Sequence, residues 1–178
     1  GYMLSDATPE EERHLKGRST LLVLDPGYYS FDFVAVQNSG IMQATAESTR
    51  YSVREVCREV EKLLSVIFPD SHLPDGEIEH AIREDEKFVY IGGKDVDISI
   101  NTAVKTVATR ALAEIRTNLS NNKVSPRIIL LTGGGGKLFE EEMRNGLQHD
   151  EFMMSDAAVL MNSFGYLSLA INNFDTFH

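Results

Sequence analysis

The chain has 178 residues, of which 42% are hydrophobic and 25% charged, which fits one globular domain or a large half of a two-domain protein. Its formal net charge of −10 argues against broad binding along a nucleic acid backbone, which requires clustered Lys and Arg. No apolar run reaches the roughly 18 residues that a membrane-spanning helix needs. We therefore expect neither direct nucleic acid binding nor a membrane partner, although a local anion site built from backbone N–H groups is compatible with the charge.

The single cysteine, Cys57, lies among apolar neighbours and cannot form an internal disulfide. It is expected to be a small buried hydrophobe in a reducing compartment, which predicts a cytoplasmic protein. The five histidines show no spacing typical of a zinc site.

Residues 1–18 are polar and acidic, and they predict a linker or a helix from a preceding domain. The pattern then changes to a continuous apolar run, Ser19–Asp25, which is typical of a strand buried on both faces. Phe31–Gln37 alternates in part and predicts a second strand, and Ile41–Ala44 a third. The domain proper is therefore expected to cover residues 19–178.

Apolar residues at three- and four-residue spacings predict an amphipathic helix over Glu47–Phe68, which Pro69 ends. A shorter helix is expected over Asp75–Arg83. A hairpin is expected next, with strands at Lys87–Ile91 and Asp95–Ile98, because two glycines lie between them.

The remaining elements alternate between helix and strand. A long helix is expected over Ile100–Leu119, a buried strand over Arg127–Leu131, a helix over Lys137–Leu147, a short strand over Glu151–Met154 and a last helix over Ala157–Ile171. Opening antiparallel strands followed by alternating strands and helices predict an α/β fold with a mixed sheet covered on both faces.

Four consecutive glycines, Gly133–Gly136, stand between the predicted strand and helix in LLTGGGGKLF. Leu131 and Leu138 occupy places where a phosphate-binding P-loop or a dinucleotide fingerprint requires glycine or a hydroxyl, so neither motif is present. Bare backbone at the carboxyl end of a strand lets a flat ligand approach and offers N–H donors at a helix start. The alternative is a tight turn that lets the helix pack on the sheet.

A second stretch, LDPGYYSFDF, reads as a strand, a tight turn and a returning strand. Two acids, Asp25 and Asp32, flank the turn, and an acid at the end of a buried strand can hold Mg²⁺ directly or through water. The turn N–H groups can bind phosphate. The alternative is a plain hairpin in which Asp25 only favours the turn.

Together these stretches resemble the actin-like ATPase superfamily. Asp25-Pro26-Gly27-Tyr28-Tyr29-Ser30-Phe31-Asp32 is similar to its second phosphate loop, D-x-G-x-G-T-[TF]-D, and Leu131-Thr132-Gly133-Gly134-Gly135 to its adenosine loop. Asn162-Ser163-Phe164-Gly165-Tyr166 is similar to N-x-x-G-[FY] in the last helix of plasmid-partition members. The nearest likeness is to the C-terminal half of ParM/StbA-type plasmid-segregation actins. It implies an RNase H-like half with a mixed five-stranded sheet and helices on both faces.

The resemblance also implies roles for individual residues. Asp25 would be catalytic and would position either Mg²⁺, through a water molecule, or the attacking water. The N–H groups of Gly27, Tyr28, Tyr29 and Ser30 would contact the β- and γ-phosphates of ATP. The loop Gly133, Gly134, Gly135 and Gly136 would lie against the adenosine or the α-phosphate, while Asn162 and Gly165 would support packing near that pocket.

Two departures from the superfamily pattern stand out. Tyr29 replaces the second loop glycine, and Pro26 has no N–H to offer. The chain also contains only one phosphate loop, so we expect it to be a C-terminal half that hydrolyses ATP poorly alone, because half of the electrostatic clamp is missing.

Three functions follow as hypotheses. The first is the ATP-binding half of a filament-forming plasmid-partition ATPase, whose partners would be copies of itself and an adaptor protein bound to plasmid DNA. The second is a sugar- or acetate-kinase-type enzyme of the same fold. The third is a non-hydrolysing scaffold, a hypothesis that the Tyr29 substitution leaves open. The sequence leaves the choice between ATP and GTP open.

Overall fold

The computed structural model of the chain describes residues 20–37, 40–69, 76–84, 86, 88–91, 93–98, 100–147 and 151–154. These residues form a mixed sheet, four helices and a separate hairpin. The elements are β1 (Leu21–Pro26), β2 (Phe31–Gln37), β3 (Gly40–Ile41), β4 (Glu47–Thr49), α1 (Val53–Ile67), α2 (Glu77–Arg83), β5 (Phe88–Ile91), β6 (Lys94–Asp97), α3 (Ile100–Asn121), β7 (Ile128–Leu131), α4 (Gly136–Leu147) and β8 (Glu151–Met154).

The sheet is mixed, as the sequence predicts. β1 pairs antiparallel with β2 on one side and parallel with β7 on the other, and β7 pairs parallel with β8. The short strands β3 and β4 both pair antiparallel with β2, near its opposite ends. The six strands therefore occupy five positions across the sheet. The parallel pairing of β1 and β7 matters most for the site, since it brings the carboxyl ends of two buried strands to the same edge.

The main core lies on one face of the sheet. Leu22 and Leu24 from β1 and Ile129 from β7 pack there in a single apolar cluster that includes buried residues of all four described helices. In α4, the fully buried Phe139 meets Phe31 edge to face, with ring centroids 5.6 Å apart. This contact seats the helix that follows the glycines directly on the first hairpin.

The other face of the sheet carries a smaller apolar cluster. Its buried members are Leu21, Ile128 and Leu130. The helix predicted over Ala157–Ile171, the stretch Asn162–Tyr166 and residues 1–18 lie outside the described residues.

Two sequence predictions around the third strand are wrong. The strand expected at Ile41–Ala44 is only Gly40–Ile41, and a 3₁₀ turn, Gln43–Thr45, follows it. Thr45 stabilises that turn because its buried hydroxyl donates to the carbonyl of Met42 (2.7 Å) and accepts from the N–H of Ala35 (2.8 Å). A side chain that bonds to nearby backbone competes with the strand ladder, and here it ends the strand.

The helix predicted from Glu47 begins six residues later, at Val53. Residues Glu47–Thr49 instead pair with Phe31–Phe33 of β2 as strand β4. The strand pairing holds Glu47–Thr49 outside the helix, and the buried apolar positions of the helix start only with Val56.

The other predicted elements that lie within the described residues agree with the structure to within two residues at each end. The hairpin β5–β6 turns at Gly93, whose φ of 86° suits glycine. Cys57 is buried as expected, at 7% exposure. In the described part of the chain, no helix is long and apolar enough to cross a membrane.

Candidate functional site

The turn between β1 and β2 is held by its own backbone and side chains. The N–H of Gly27 donates to the carbonyl of Ser30 at 2.8 Å, which closes the four-residue turn. The hydroxyl of Ser30 donates to Oδ2 of Asp32, also at 2.8 Å. The predicted hairpin is therefore present, and one of the predicted phosphate donors, the N–H of Gly27, is used within it.

Helix α1 begins directly against this turn. The first N–H groups of a helix have no partner inside the helix and need acceptors elsewhere. Here the N–H of Val53 donates to the carbonyl of Gly27 (3.2 Å), and the N–H of Arg54 donates to the carbonyl of Tyr28 (2.9 Å). Because the turn carbonyls face the helix, the turn is fixed on that side.

The glycine loop lies on the other side of the turn and contacts it directly. The N–H of Gly135 donates to the carbonyl of Pro26 at 2.7 Å. A side chain on Gly135 would place its Cβ 2.7 Å from that carbonyl oxygen and 2.8 Å from Cγ2 of Val53. Gly133 has a φ of 79°, and a Cβ there would overlap Oδ1 of Asp25. The two stretches singled out in the sequence are thus in contact.

Each glycine of the loop has a different surrounding. Contact between the two loops explains why Gly133 and Gly135 carry no side chain. Gly136 begins α4, donates to the carbonyl of Gly133 (3.1 Å) and would tolerate a Cβ at ordinary distance. Gly134 differs from the others because it is exposed, and a Cβ there would meet nothing within 4 Å. Its missing side chain leaves space on the surface rather than inside the fold.

That space belongs to an open cleft of about 850 Å³. One wall is the glycine loop with the start of α4, and the opposite wall is α2 with the start of α3. Its apolar side chains are Val53, Ile82, Ile100 and Leu138; its charged side chains are Arg83, Lys137, Glu79, Glu86, Asp97 and Glu141; Asn101, Thr102, Tyr28, Gly134 and Gly135 complete it. Apolar walls with a few polar groups suit a small-molecule ligand with a flat apolar part and several donors.

Tyr28 and Tyr29 leave the turn in different environments. The phenol of Tyr28 donates to Oε2 of Glu79 at 2.7 Å, across the cleft. This hydrogen bond, together with desolvation and the nearby negative charge, raises the pKa of Tyr28 to about 12. Tyr29 is 72% exposed, meets the ring of Tyr28 edge to face at 4.8 Å and lies 5.6 Å from the guanidinium of Arg54.

Asp25 lies beside the glycine loop but does not line the cleft. Its side chain alternates with that of the core residue Leu24, so it belongs to the opposite face of β1, next to Gly133. Among the described residues, no group of three or more acidic, histidine or cysteine side chains could hold a metal unaided. A single carboxylate is nonetheless a suitable Mg²⁺ partner when phosphate oxygens and water supply the other ligands.

The α2 wall of the cleft is a part of the site that sequence patterns do not reveal. The sequence predicts the helix, Asp75–Arg83, but no role for Glu79 or Arg83. The only available signal was the density of charge in EIEHAIREDE, residues 77–86, which ordinarily marks a solvated face. Nothing local indicates that this face meets Tyr28, 51 residues earlier in the chain.

The chain is similar in fold to solved structures of ParM proteins and of an archaeal actin homologue. The non-polymerisable quadruple mutant of pCBH ParM aligns with a TM-score of 0.80 at 17% identity, over 96% of this chain and 52% of that one. Ta0583, an archaeal actin homologue in complex with ADP, aligns with a TM-score of 0.75 at 16% identity, over 96% of this chain and 54% of that one. A 15-stranded ParM filament from Clostridium botulinum aligns with a TM-score of 0.75 at 18% identity, over 89% of this chain and 47% of that one. The chain spans about half the length of each.

The fold is therefore that of the C-terminal half of an actin-like ATPase, of ParM type, as the resemblance predicted. The family model of the archaeal MreB-like actin homologues, C-terminal domain, matches residues 23–145, and the chain belongs to that family. No curated protein sequence matches the chain.

Proposed function

We propose that the chain is the nucleotide-binding C-terminal half of a filament-forming actin-like ATPase. One observation carries the proposal: the β1–β2 turn and the glycine loop follow parallel neighbouring strands and touch, through the Gly135 to Pro26 hydrogen bond, at the edge of a cleft large enough for a nucleoside. Ligands of open α/β sheets bind at this edge. The similarity to an actin homologue in complex with ADP supports the same ligand class here.

The chemistry of the cleft fits the parts of a nucleotide. The apolar side chains of Val53, Ile82 and Leu138 would flank the base, and Asn101 would accept from its amino group or from the ribose hydroxyls. Phosphates would lie where the cleft meets the turn, at the N–H groups of Tyr28, Tyr29, Ser30 and Gly134. Backbone amides and the start of α4 favour negative charge there despite the overall charge of −10.

Asp25 would hold Mg²⁺ through water or orient the attacking water, while the metal would neutralise charge on the phosphates. The second half of the clamp would come from the N-terminal lobe, so that ATP bridges two lobes and controls the contacts between subunits. We further propose a cytoplasmic protein that forms filaments and binds a DNA-carrying adaptor in plasmid partition. The ParM-type form of the turn and of the fold supports that setting.

A non-hydrolysing scaffold of the same fold is the second candidate. Three backbone N–H groups of the two predicted nucleotide-binding loops are used within the protein, because Gly27, Gly135 and Gly136 donate to Ser30, Pro26 and Gly133. Tyr29 also places an exposed ring where the superfamily has a glycine. Both features reduce the number of amides available to a triphosphate. A sugar- or acetate-kinase-type enzyme gains no specific support from the described residues.

Sedimentation of the full-length protein with and without ATP–Mg²⁺ tests the proposal. A pellet that depends on nucleotide supports the filament-forming ATPase. Nucleotide binding without turnover or a pellet favours the scaffold, and soluble turnover of a metabolite favours the kinase.

A cleft variant adds a direct test of where the nucleotide binds. Gly134→Leu places a side chain in the cleft from a position where the Cβ meets no atom within 4 Å, so affinity for a fluorescent adenine nucleotide should fall about tenfold or more. Asn145→Leu is the matched control, because Asn145 is exposed on α4, the helix that follows the glycine loop, and does not line the cleft. Equal affinity of the two variants would place the nucleotide elsewhere.

A further inference from the structure

One side-chain contact joins the two walls of the cleft at the turn. The phenol of Tyr28 reaches from the β1–β2 turn to Oε2 of Glu79 in the middle of α2, at 2.7 Å. The other carboxylate oxygen of Glu79 lies 3.9 Å from Nη1 of Arg83, one helical turn further along. The carboxylate therefore faces both the turn and the cationic side chain of the cleft wall.

The hydrogen bonds that join the turn to the glycine loop and to α1 are made by backbone carbonyls of the turn. Pro26 accepts from the glycine loop, and Gly27 and Tyr28 accept from the first N–H groups of α1. All three acceptors are carbonyls, which fix where the turn sits. The contact from the turn to α2 is made by the side chain of Tyr28, whose phenol bonds to Glu79. The same helix carries Ile82 and Arg83 on the opposite wall.

We propose that Glu79 is a positioning residue for the turn: by holding the Tyr28 phenol, it sets the orientation of the turn amides and couples that orientation to α2. The inference rests on the proposed nucleotide site and extends it. Because Tyr28 is bonded through both its carbonyl and its phenol, its peptide plane and its neighbours' N–H groups are restrained from two directions. Loss of the phenol bond releases the side-chain restraint while the hairpin and the α1 contact persist.

The consequence is an effect that depends on phosphate. The turn would meet only the phosphates, whereas the base and ribose would meet the cleft walls. Removing the hydroxyl of Tyr28 should therefore lower the affinity for ADP and for an ATP analogue, and leave the affinity for adenosine nearly unchanged. A general loss of cleft structure would lower the affinity for all three ligands alike.

The test measures the affinity of the full-length protein for adenosine, ADP and a non-hydrolysable ATP analogue. Tyr28→Phe keeps the ring and should lower the affinity for ADP and for the ATP analogue about fivefold. This is the size expected for the loss of one half-exposed hydrogen bond to a carboxylate. Adenosine affinity should stay within about twofold. Tyr90→Phe removes an exposed phenol from β5, away from the cleft, and is the control.

A double-mutant cycle asks whether the effect acts through Glu79. In a Glu79→Ala background, Tyr28→Phe should cause no further loss of ADP affinity. Additive losses, unchanged ADP affinity in Tyr28→Phe or an equal loss for adenosine would each overturn the positioning role.

Hydrogen–deuterium exchange of the free protein separates this inference from the proposed function. Tyr28→Phe should speed exchange in both the turn, residues 27–30, and α2, residues 77–83, whereas Tyr90→Phe should not. If the wild-type protein bound no nucleotide, the proposed function would fail. Faster exchange in both segments would still support the coupling of turn and α2, and unchanged exchange would overturn it.

Discussion

The contact between the two loops can be broken by one methyl group. Gly135→Ala would put a Cβ 2.7 Å from the carbonyl oxygen of Pro26 and 2.8 Å from Cγ2 of Val53. Both distances are shorter than side-chain carbons tolerate. One neighbour is backbone, so the strain cannot be relieved by a rotamer change and the loops must move apart.

The expected cost has two parts. Overpacking at a buried contact typically costs about 1–3 kcal/mol. Separation of the loops also weakens the 2.7 Å hydrogen bond from Gly135 to Pro26, a loss of about 1 kcal/mol. We therefore expect Gly135→Ala to lower the free energy of unfolding by about 2–4 kcal/mol, or the Tm by about 5–15 °C for a domain of this size.

Thermal unfolding followed by circular dichroism at 222 nm measures the effect. Gly134→Ala is the matched control, one residue earlier, where a Cβ meets nothing within 4 Å and the backbone does not adopt a positive φ. It should be neutral or stabilise slightly, because alanine reduces the entropy of the unfolded chain. If Gly135→Ala proved as stable as Gly134→Ala, the loops would not be packed as described.

Three further predictions concern single side chains. Thr45→Val should cost about 1–3 kcal/mol in urea denaturation, because the buried N–H of Ala35 loses its acceptor. Burial raises the pKa of the Cys57 thiol to about 11, so at pH 8 the native protein should react with a thiol reagent about 100-fold more slowly than the unfolded chain. Tyr28 keeps its proton to about pH 12 in the folded state, against an ordinary value of 10.0. Its stabilising contribution is therefore complete below pH 10 and lost as pH rises through 12, so the stability difference between wild type and Tyr28→Phe should shrink over that range.

Each of these has an outcome that contradicts it. Thr45→Val with wild-type stability would mean that Ala35 finds another acceptor. Rapid labelling of Cys57 in the native protein would show that α1 opens away from the core. A stability difference for Tyr28→Phe that stays constant from pH 9 to 12 would show that the phenol is not bonded to a carboxylate.

Long periodic segments were predictable from the sequence because one face of each is buried. α1 and α3 follow from apolar spacings that coincide with their buried residues, and β1 and β7 from short apolar runs. Strand β4 was not predictable in this way. Its three residues are held by pairing with β2, a tertiary contact that local patterns do not record, and the preceding turn depends on a single hydroxyl, that of Thr45.

The site was predictable in part. The two loops were recognisable because glycines and acids at strand ends are unusual, and parallel pairing of β1 and β7 brings them together. The sequence does not show which glycines are needed for packing and which leave space for a ligand. That difference depends on the contact of the glycine loop with Pro26 and Val53. Nor does the sequence show that Glu79 faces Tyr28, because the partners come from elements 51 residues apart.

A crystal structure of the full-length protein grown with ADP and Mg²⁺ tests the central claim most directly. The account predicts the base in the cleft beside Gly134 and the phosphates within hydrogen-bond distance of the N–H groups of Tyr28, Tyr29 or Ser30, with Mg²⁺ on the side of Asp25. Nucleotide bound away from both loops, or a turn and glycine loop that do not touch, would contradict it.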